Sequence, residues 1–147
     1  MDKLKIEGGH TLEGEVCISG AKNSAVAILP ASLLTKETCI IKNLPNIKDV
    51  YYINNILLQL GAKVKKDGCK LIICNSGVNT YEVDFELSKK LRASYYFIGA
   101  LLGRFKKAEV PFPGGCDIGV RPIDQHIKGF EALGAKVIIE HGVVYAK

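Results

Sequence analysis

Apolar residues recur at helical spacing in two parts of the chain, residues 50–60 and 123–133. Such spacing places one apolar stripe against a core and leaves the other face to solvent. The residues that share these stripes are Val50, Ile53, Leu57 and Leu60 in the first part, and Ile123, Ile127, Phe130 and Leu133 in the second. Both parts therefore predict amphipathic helices.

The two helical patterns end in nearly the same heptapeptide. "LQLGAKV" (residues 58–64) returns as "EALGAKV" (residues 131–137). Gly61 and Gly134 stand where a helix C-terminus favours a left-handed residue. After each glycine, "AKVKKDGCKLIIC" and "AKVIIEHGVVYA" predict a strand, a turn and a second strand, with "KDG" and "EHG" at the turns.

A second pair of helices is predicted upstream of these repeats. The first covers residues 23–34; it is apolar nearly all round, which favours burial, and Pro30 should bend or interrupt it. The second covers residues 87–104 and is also highly apolar. A short strand is predicted after each helix, near residues 38–44 and 108–113.

Together these elements predict an α/β fold in which one β-α-β-α-β-β unit occurs twice. We assign residues 20–75 to the first unit and residues 76–147 to the second. Two opening strands, "KLKIEG" and "EGEVCIS", are predicted within residues 1–19. Because repeated units are usually marginal in low copy number, we expect the chain to be part of something longer.

The composition fits a soluble globular protein, with 48% hydrophobic and 24% charged residues among 147. The longest nearly uncharged apolar stretch, residues 93–103, is about half the length needed to cross a bilayer, and the N-terminus lacks an apolar signal core. We therefore expect no membrane segment. The formal charge of +5 fits nucleic acid, acidic lipid or a small anionic ligand. The basic residues are dispersed and no aromatic RNA-binding motif is present, which disfavours nucleic acid.

Five cysteines form no paired framework, which indicates reduced thiols in a cytoplasm. Four of them lie in apolar strand patterns and are predicted to be inert core residues: Cys17, Cys39, Cys69 and Cys74. The strand spacing puts Cys69 and Cys74 on opposite faces, which disfavours a metal pair.

The stretch "GAKNSA" (residues 20–25) stands at the start of the first buried helix. Helix N–H groups and the helix dipole favour an anion there, and Lys22 adds a full positive charge. Asn23 or Ser24 is predicted to cap the helix. An ordinary capped helix beside a solvated lysine is the alternative, and the spacing is not that of a phosphate-binding loop.

The stretch "PGGCDIGVRP" (residues 113–122) places Cys116 in a glycine-rich loop before a helix. Arg121 and the helix N-terminus would lower the pKa of this thiol, and Pro122 suits the first turn. Arg121 can also hold a phosphate or carboxylate through two hydrogen bonds. A tight loop with an incidental cysteine is the alternative. No Ser-His-Asp arrangement or zinc spacing accompanies it, and we predict packing or capping for His126.

Three stretches carry a family resemblance: "GAKNSAVAILPASLL", "LRASYYFIGALLGR" and "PGGCDIGVRPIDQHIKGFEALGA". They resemble the N-terminal part of the bacterial UDP-N-acetylglucosamine 1-carboxyvinyltransferases. The resemblance implies an inside-out α/β barrel of two domains with three β-α-β-α-β-β units each, of which this chain supplies two of six. It also implies that residues 1–19 join the second domain.

The reaction implied by the resemblance is transfer of the enolpyruvyl group of phosphoenolpyruvate to the 3'-hydroxyl of UDP-N-acetylglucosamine. It would be the first committed step of peptidoglycan synthesis, in the cytoplasm, with roles in cell wall biogenesis, cell shape and cell division. No cofactor or metal is implied. The partners are the two small-molecule substrates, without nucleic acid or membrane.

The resemblance also assigns roles to individual residues. Cys116 would be the catalytic proton donor, able to form a covalent adduct with phosphoenolpyruvate and alkylated by fosfomycin. Lys22 and Asn23 would contact phosphoenolpyruvate. The remaining residues would bind UDP-N-acetylglucosamine: Arg92, Arg121, Pro122, Ile123, Asp124 and Gln125.

The family's general-base aspartate and a further arginine lie in the missing C-terminal portion, so little turnover is expected from this chain alone. One alternative is a non-catalytic remnant that binds nucleotide sugar or regulates a full-length partner. Another is 5-enolpyruvylshikimate-3-phosphate synthase, which shares the fold and chemistry but lacks the cysteine loop.

Overall fold

The computed structural model describes residues 3–112 and 123–147. The helices are α1 (Lys22–Ala31), α2 (Lys48–Gln59), α3 (Phe85–Lys89), α4 (Tyr96–Phe105) and α5 (Asp124–Ala132), with 3₁₀ turns at Ser32–Leu34 and Arg92–Tyr95. The strands are β1 (Thr38–Ile41), β2 (Lys63–Asp67), β3 (Lys70–Cys74), β4 (Ala108–Pro111), β5 (Val137–Glu140) and β6 (Val143–Ala146). The α/β fold class predicted from the sequence is confirmed.

The strands form two sheets of the same topology, ordered β1-β3-β2 and β4-β6-β5. All ladders in them are antiparallel, with Thr38 opposite Cys74 in the first sheet and Ala108 opposite Ala146 in the second. Both predicted hairpins are confirmed. Their turns use left-handed backbone at Gly68 (φ 56°) and Gly142 (φ 75°), which glycine adopts without strain.

The second unit begins with a single β-bridge where a first strand was predicted. The Val83 N–H donates to the Glu109 carbonyl (2.9 Å), and the Glu109 N–H donates to the Tyr81 carbonyl (3.0 Å). These bonds create a parallel bridge between Glu82 and Glu109 at the edge of β4. The second unit therefore follows the predicted β-α-β-α-β-β order with its first strand reduced to this bridge, and the assignment of residues 20–75 and 76–147 as separate units stays a prediction.

The prediction of two opening strands is wrong for this structure. No strand forms between residues 3 and 19, and the apolar side chains there are 83–95% exposed: Leu4, Ile6, Leu12, Val16 and Ile18. Alternation of apolar and polar residues shows that a segment can be a strand, but a strand also needs a neighbouring edge to bond its backbone. The described residues offer this segment no such partner.

The apolar stripe of α2 is confirmed, since Val50, Ile53 and Leu57 are at most 5% exposed and Leu60, just after the helix, is fully buried. The stripe of α5 is confirmed only in part. Ile123 is buried and Ile127 and Phe130 pack partly against the core, but Leu133 is 88% exposed although it follows α5 as the buried Leu60 follows α2. Helical spacing therefore predicted the buried face of α5 correctly except at Leu133.

The first predicted upstream helix is confirmed as α1, which continues one residue past Pro30 and then tightens into a 3₁₀ turn. The prediction of one helix over residues 87–104 is wrong. The chain forms α3, becomes extended at Leu91 (φ −125°, ψ 108°), and resumes as a 3₁₀ turn and α4. Burial of Leu91 and a hydrogen bond from the Ser88 hydroxyl to the Pro111 carbonyl (3.0 Å) hold this break in place.

Both repeated glycines end their helices as predicted, with φ 101° at Gly61 and 95° at Gly134. Gly61 also lies against the backbone of Gly77, so that a Cβ on Gly77 would stand 2.7 Å from the Gly61 carbonyl oxygen. None of the helices within the described ranges is long and apolar enough to cross a membrane.

Candidate functional site

Two pairs of helices are joined at their N-termini. The Lys22 ammonium lies 3.2 Å from the Asp49 carboxylate, which links the first turns of α1 and α2. In the other pair, the ring of His126 in the first turn of α5 stands edge-on to Tyr95 and Tyr96, with centroids 5.0 and 6.2 Å away. Farther along, the Phe130 ring lies beside Gly99, so α5 and α4 run in the same direction.

The N-termini of both helix pairs lie at the same end of the molecule. Arg104 near the end of α4 donates to the carbonyls of Leu33 and Thr35 (2.9 Å each), which follow α1. Because α1 packs against α4 and their C-terminal ends meet, their N-termini lie on the opposite side together. Four helix N-termini therefore converge on one end of the molecule, and their dipoles create a positive potential that favours an anion there.

None of these four N-termini has a side-chain cap within the described part of the chain. The residues at the cap positions are Ala21, Ile47, Tyr95 and Ile123. The prediction that Asn23 or Ser24 caps α1 is therefore wrong: both are exposed and lie inside the helix. By contrast, Asp84 caps α3 by accepting from the Leu87 N–H (2.9 Å). The uncapped N–H groups of the first turns are left available to a ligand.

The glycine of "GAKN" has a packing role that the sequence analysis missed. The Gly20 Cα approaches the Asn43 carbonyl so closely that any Cβ would overlap it, and the same Cβ would stand 3.1 Å from the Pro45 ring. Asn43 and Pro45 belong to the loop that leads into α2. The start of α1 therefore packs directly against the loop that leads into α2, and only glycine at position 20 allows this close approach.

The structure places four of the predicted ligand residues at this end of the molecule: Lys22, Arg92, Asp124 and Gln125. Lys22 is the first residue of α1, and Arg92 opens the 3₁₀ turn that runs into α4. Arg92 is half-buried, and no hydrogen bond or ion pair with another described residue engages its guanidinium. Asp124 and Gln125 are exposed in the first turn of α5, where the Gln125 amide donates to the Asp124 carboxylate (3.2 Å).

The predicted catalytic Cys116 lies outside the described residues, as do Arg121 and Pro122. The flanking residues are described. Phe112, whose N–H donates to the Gly142 carbonyl, follows β4, and Ile123 precedes α5. Both lie at the end where the helix N-termini gather, since β4 runs antiparallel to α4.

Arg104 is the main structural residue that sequence analysis did not single out. Its guanidinium also donates to the carbonyls of Asn75 (2.8 Å) and Val78 (3.4 Å). It thus bonds four carbonyls of the first unit and its following turn, and this fixes where Lys22 and Arg92 lie relative to each other. No helical pattern reveals such a role, because its partners are backbone groups about 30 and 70 residues away.

The prediction of four inert core cysteines is wrong for two of them, because Cys17 and Cys69 are exposed. Cys39 is half-buried, with its thiol 3.9 Å from the Ser32 carbonyl. Cys74 is half-buried in β3, with its sulfur 3.3 Å from the Ser76 hydroxyl. The described ranges hold no cluster of three or more His, Cys, Asp or Glu side chains that could bind a metal ion.

Cys74 is expected to react as a thiolate below the usual pH. Hydrogen bonds from the Ser76 side chain and backbone, then one from the Thr38 side chain, lower the pKa of its thiol from the ordinary 9.0, since they stabilise the charged form. We expect the pH midpoint of Cys74 alkylation by iodoacetamide, followed by peptide mass spectrometry, to be lower in the folded chain than in the chain unfolded in urea. Ser76→Ala should raise it, and an unchanged midpoint in that variant would contradict this cause.

Comparisons with known proteins identify the family of this chain. The profile of the EPSP synthase (3-phosphoshikimate 1-carboxyvinyltransferase) family matches residues 6–147. The chain is 58% identical to a UDP-N-acetylglucosamine 1-carboxyvinyltransferase of Clostridium botulinum, over 100% of this chain and 36% of that protein. A relative of the same enzyme name from Caldanaerobacter subterraneus is 55% identical, over 100% of this chain and 35% of its own length.

The fold also matches a solved structure. The crystal structure of the enolpyruvyl transferase NikO from Streptomyces tendae has a TM-score of 0.73 and 24% identity, covering 95% of this chain and 31% of NikO. The chain thus spans about a third of the length of the curated relatives it matches, at their N-terminal part. On the family profile and these relatives, the chain belongs to the EPSP synthase family of carboxyvinyl (enolpyruvyl) transferases.

Proposed function

We propose that this chain is the N-terminal portion of an enzyme that transfers the enolpyruvyl group of phosphoenolpyruvate to the 3'-hydroxyl of UDP-N-acetylglucosamine. The observation that carries the proposal is the convergence of four helix N-termini with Lys22 and Arg92 at one end of the fold. Both substrates are polyanions, and such an end suits them. The reaction class is that of the relatives named UDP-N-acetylglucosamine 1-carboxyvinyltransferase.

In this proposal Lys22 and Asn23 bind phosphoenolpyruvate. The UDP-N-acetylglucosamine side is formed by Arg92, Arg121, Pro122, Ile123, Asp124 and Gln125. Ile123 is buried and packs the start of α5 against the core. The backbone positions of Asp124 and Gln125, the first two residues of α5, are therefore fixed. Cationic groups and uncapped N–H groups would hold the phosphates in place and stabilise charge as the phosphate leaves.

The chemistry forms a bond between the sugar 3'-oxygen and C2 of phosphoenolpyruvate and breaks the bond from C2 to the phosphate oxygen. Cys116 would give a proton to the methylene carbon as the oxygen adds, and the carbon loses a proton again when phosphate leaves. The base that accepts the hydroxyl proton would come from the portion beyond this chain. We place the reaction in the cytoplasm, as the first committed step of peptidoglycan synthesis.

Fosfomycin labelling tests the proposed role of Cys116. After incubation of the 147-residue chain with fosfomycin, we expect peptide mass spectrometry to find the adduct on Cys116 alone among the five cysteines. The Cys74→Ser variant is the control, because Cys74 is the described thiol with a lowered pKa. Labelling spread over several cysteines, or absent from Cys116, would contradict the assignment.

A phosphate-release assay tests the enzyme itself. We expect little turnover from the chain alone with both substrates, and turnover when the C-terminal portion of the Clostridium botulinum relative is added. A non-catalytic nucleotide-sugar-binding protein is the competing function, because converging helix N-termini can bind a diphosphate without catalysing a reaction. Calorimetric binding of UDP-N-acetylglucosamine without turnover in the complemented mixture would decide for that competitor.

A further inference from the structure

The ion pair between Lys22 and Asp49 joins one exposed and one largely buried side chain. The Lys22 side chain is 59% exposed, whereas the Asp49 side chain is 25% exposed, and the two charges are 3.2 Å apart. Asp49 lies in the first turn of α2, where the helix dipole favours a carboxylate. Asp49 is therefore the fixed partner, and Lys22 is the side chain that it can orient.

Two further contacts hold the first turns of α1 and α2, which carry Lys22 and Asp49, close to each other. Gly20 packs on the Asn43 carbonyl and fixes the start of α1. The loop then continues through Pro45, whose carbonyl accepts from the Ile47 N–H (3.1 Å), directly into α2. The distance between the two first turns is thus set by backbone packing and does not depend on the ion pair.

A lysine at a helix N-terminus is disfavoured by the dipole and is free to adopt many rotamers. Its ammonium carries three donors, and one bond to Asp49 leaves two for a ligand. A side chain that is already ordered loses less conformational entropy when an anion binds. Both the donors that remain free on the ammonium and the smaller loss of conformational entropy favour a carboxylate beside the lysine. They do so even though that carboxylate itself repels anions.

We propose that Asp49 is a positioning residue that holds the Lys22 ammonium ready for the phosphate or carboxylate of phosphoenolpyruvate. The inference rests on the proposed function, because it takes Lys22 as a ligand of that substrate. A positioning role and simple charge repulsion predict opposite changes in phosphoenolpyruvate affinity when Asp49 is replaced. Removing a negative charge next to an anion site should tighten binding, whereas removing a positioning group should weaken it.

The test is a titration of the 147-residue chain with phosphoenolpyruvate, followed through the backbone amide signals of Lys22 and Asn23 in two-dimensional NMR spectra. We expect Asp49→Ala to weaken binding about fivefold, the upper range for one exposed ion pair. Asp49→Glu should recover most of the affinity.

Asp67→Ala is the matched control. Asp67 pairs with Lys70 at 3.8 Å, with both side chains more than half exposed. Its hairpin adjoins the loop before α2, since the Leu44 N–H donates to the Cys69 carbonyl (2.9 Å). This variant therefore removes the same charge at the same end of the molecule without touching Lys22, and its affinity should be unchanged or slightly higher.

The outcomes separate the two proposals. If Asp49→Ala binds phosphoenolpyruvate as tightly as the unmodified chain or more tightly, the positioning role is overturned and the proposed function stands. If the unmodified chain does not bind phosphoenolpyruvate, the proposed function fails, and the positioning role fails with it.

A second measurement does not depend on the folding of any variant. In the unmodified chain, side-chain relaxation of Lys22 should show more order than that of Lys48, which begins α2 and has no ion pair among the described residues. Equal mobility of the two side chains would overturn the positioning role on its own.

Discussion

Replacing Arg104 by methionine is expected to lower the free energy of unfolding by about 3 kcal/mol, because hydrogen bonds to charged groups are among the stronger ones and four carbonyls lose their donor. Those carbonyls belong to Leu33, Thr35, Asn75 and Val78. Methionine keeps the aliphatic stem and its packing, so the change isolates the guanidinium. Urea unfolding followed by circular dichroism measures the effect.

Two variants control this prediction. Lys128→Met removes the same charge from an exposed position on α5 and should change stability by less than about 0.5 kcal/mol, as surface substitutions usually do. Arg104→Lys keeps the charge but loses the planar fork that reaches several carbonyls at once, and should recover only a small part of the loss. A fully stable Arg104→Met variant would show that the carbonyls find other partners, and the account of Arg104 as the link between the units would fail.

The sequence predicted the repeated elements well because those elements are defined locally. Helical spacing predicted the buried face of α2. The glycines at positions 61 and 134 predicted two helix ends, and both adopt the positive φ that such ends require. The hairpin turns followed from short glycine-containing motifs. Each of these signals lies within a few residues of the feature it predicts.

Two of the wrong predictions depended on partners distant in the chain. The alternation in residues 3–19 was a valid strand signal without a neighbouring edge among the described residues. The break at Leu91 follows from burial and from the bond between Ser88 and Pro111, which no helical pattern contains. Cys17 is exposed because it lies in the unpaired segment of residues 3–19, whereas Cys69 is exposed because it lies in the turn between β2 and β3.

The candidate site combines both kinds of information. Lys22, Asn23 and Arg92 were identified by their residue type and family resemblance, and the structure places Lys22 and Arg92 at the starts of parallel helices. What the sequence could not predict is that these starts are mutually locked and uncapped. The contact of Gly20 with Asn43 and the hydrogen bonds of Arg104 hold these helix starts close together. The helix dipoles therefore add to a positive potential at this end of the molecule.

Gly20→Ala is expected to destabilise the chain by about 2–3 kcal/mol, the upper part of the usual range for overpacking, because the clashing atom belongs to the backbone. The added methyl group would overlap the Asn43 carbonyl, which is backbone and sits beside the Pro45 ring. Relief requires the start of α1 to move away from the loop that leads into α2. The same movement would lengthen the distance from the Lys22 ammonium to the Asp49 carboxylate, so binding of phosphoenolpyruvate should weaken along with the fold.

Gly129→Ala provides the matched comparison, because a Cβ on Gly129 in α5 would meet no heavy atom within 4 Å. Alanine favours a helix interior over glycine by about 1 kcal/mol, so this variant should be as stable as the unmodified chain or more stable. Thermal unfolding of the two variants then compares one methyl group placed against a backbone carbonyl with one placed in solvent. Equal stabilities would mean that the α1 start shifts at no cost, and the locked geometry inferred for Lys22 and Asp49 would have to be abandoned.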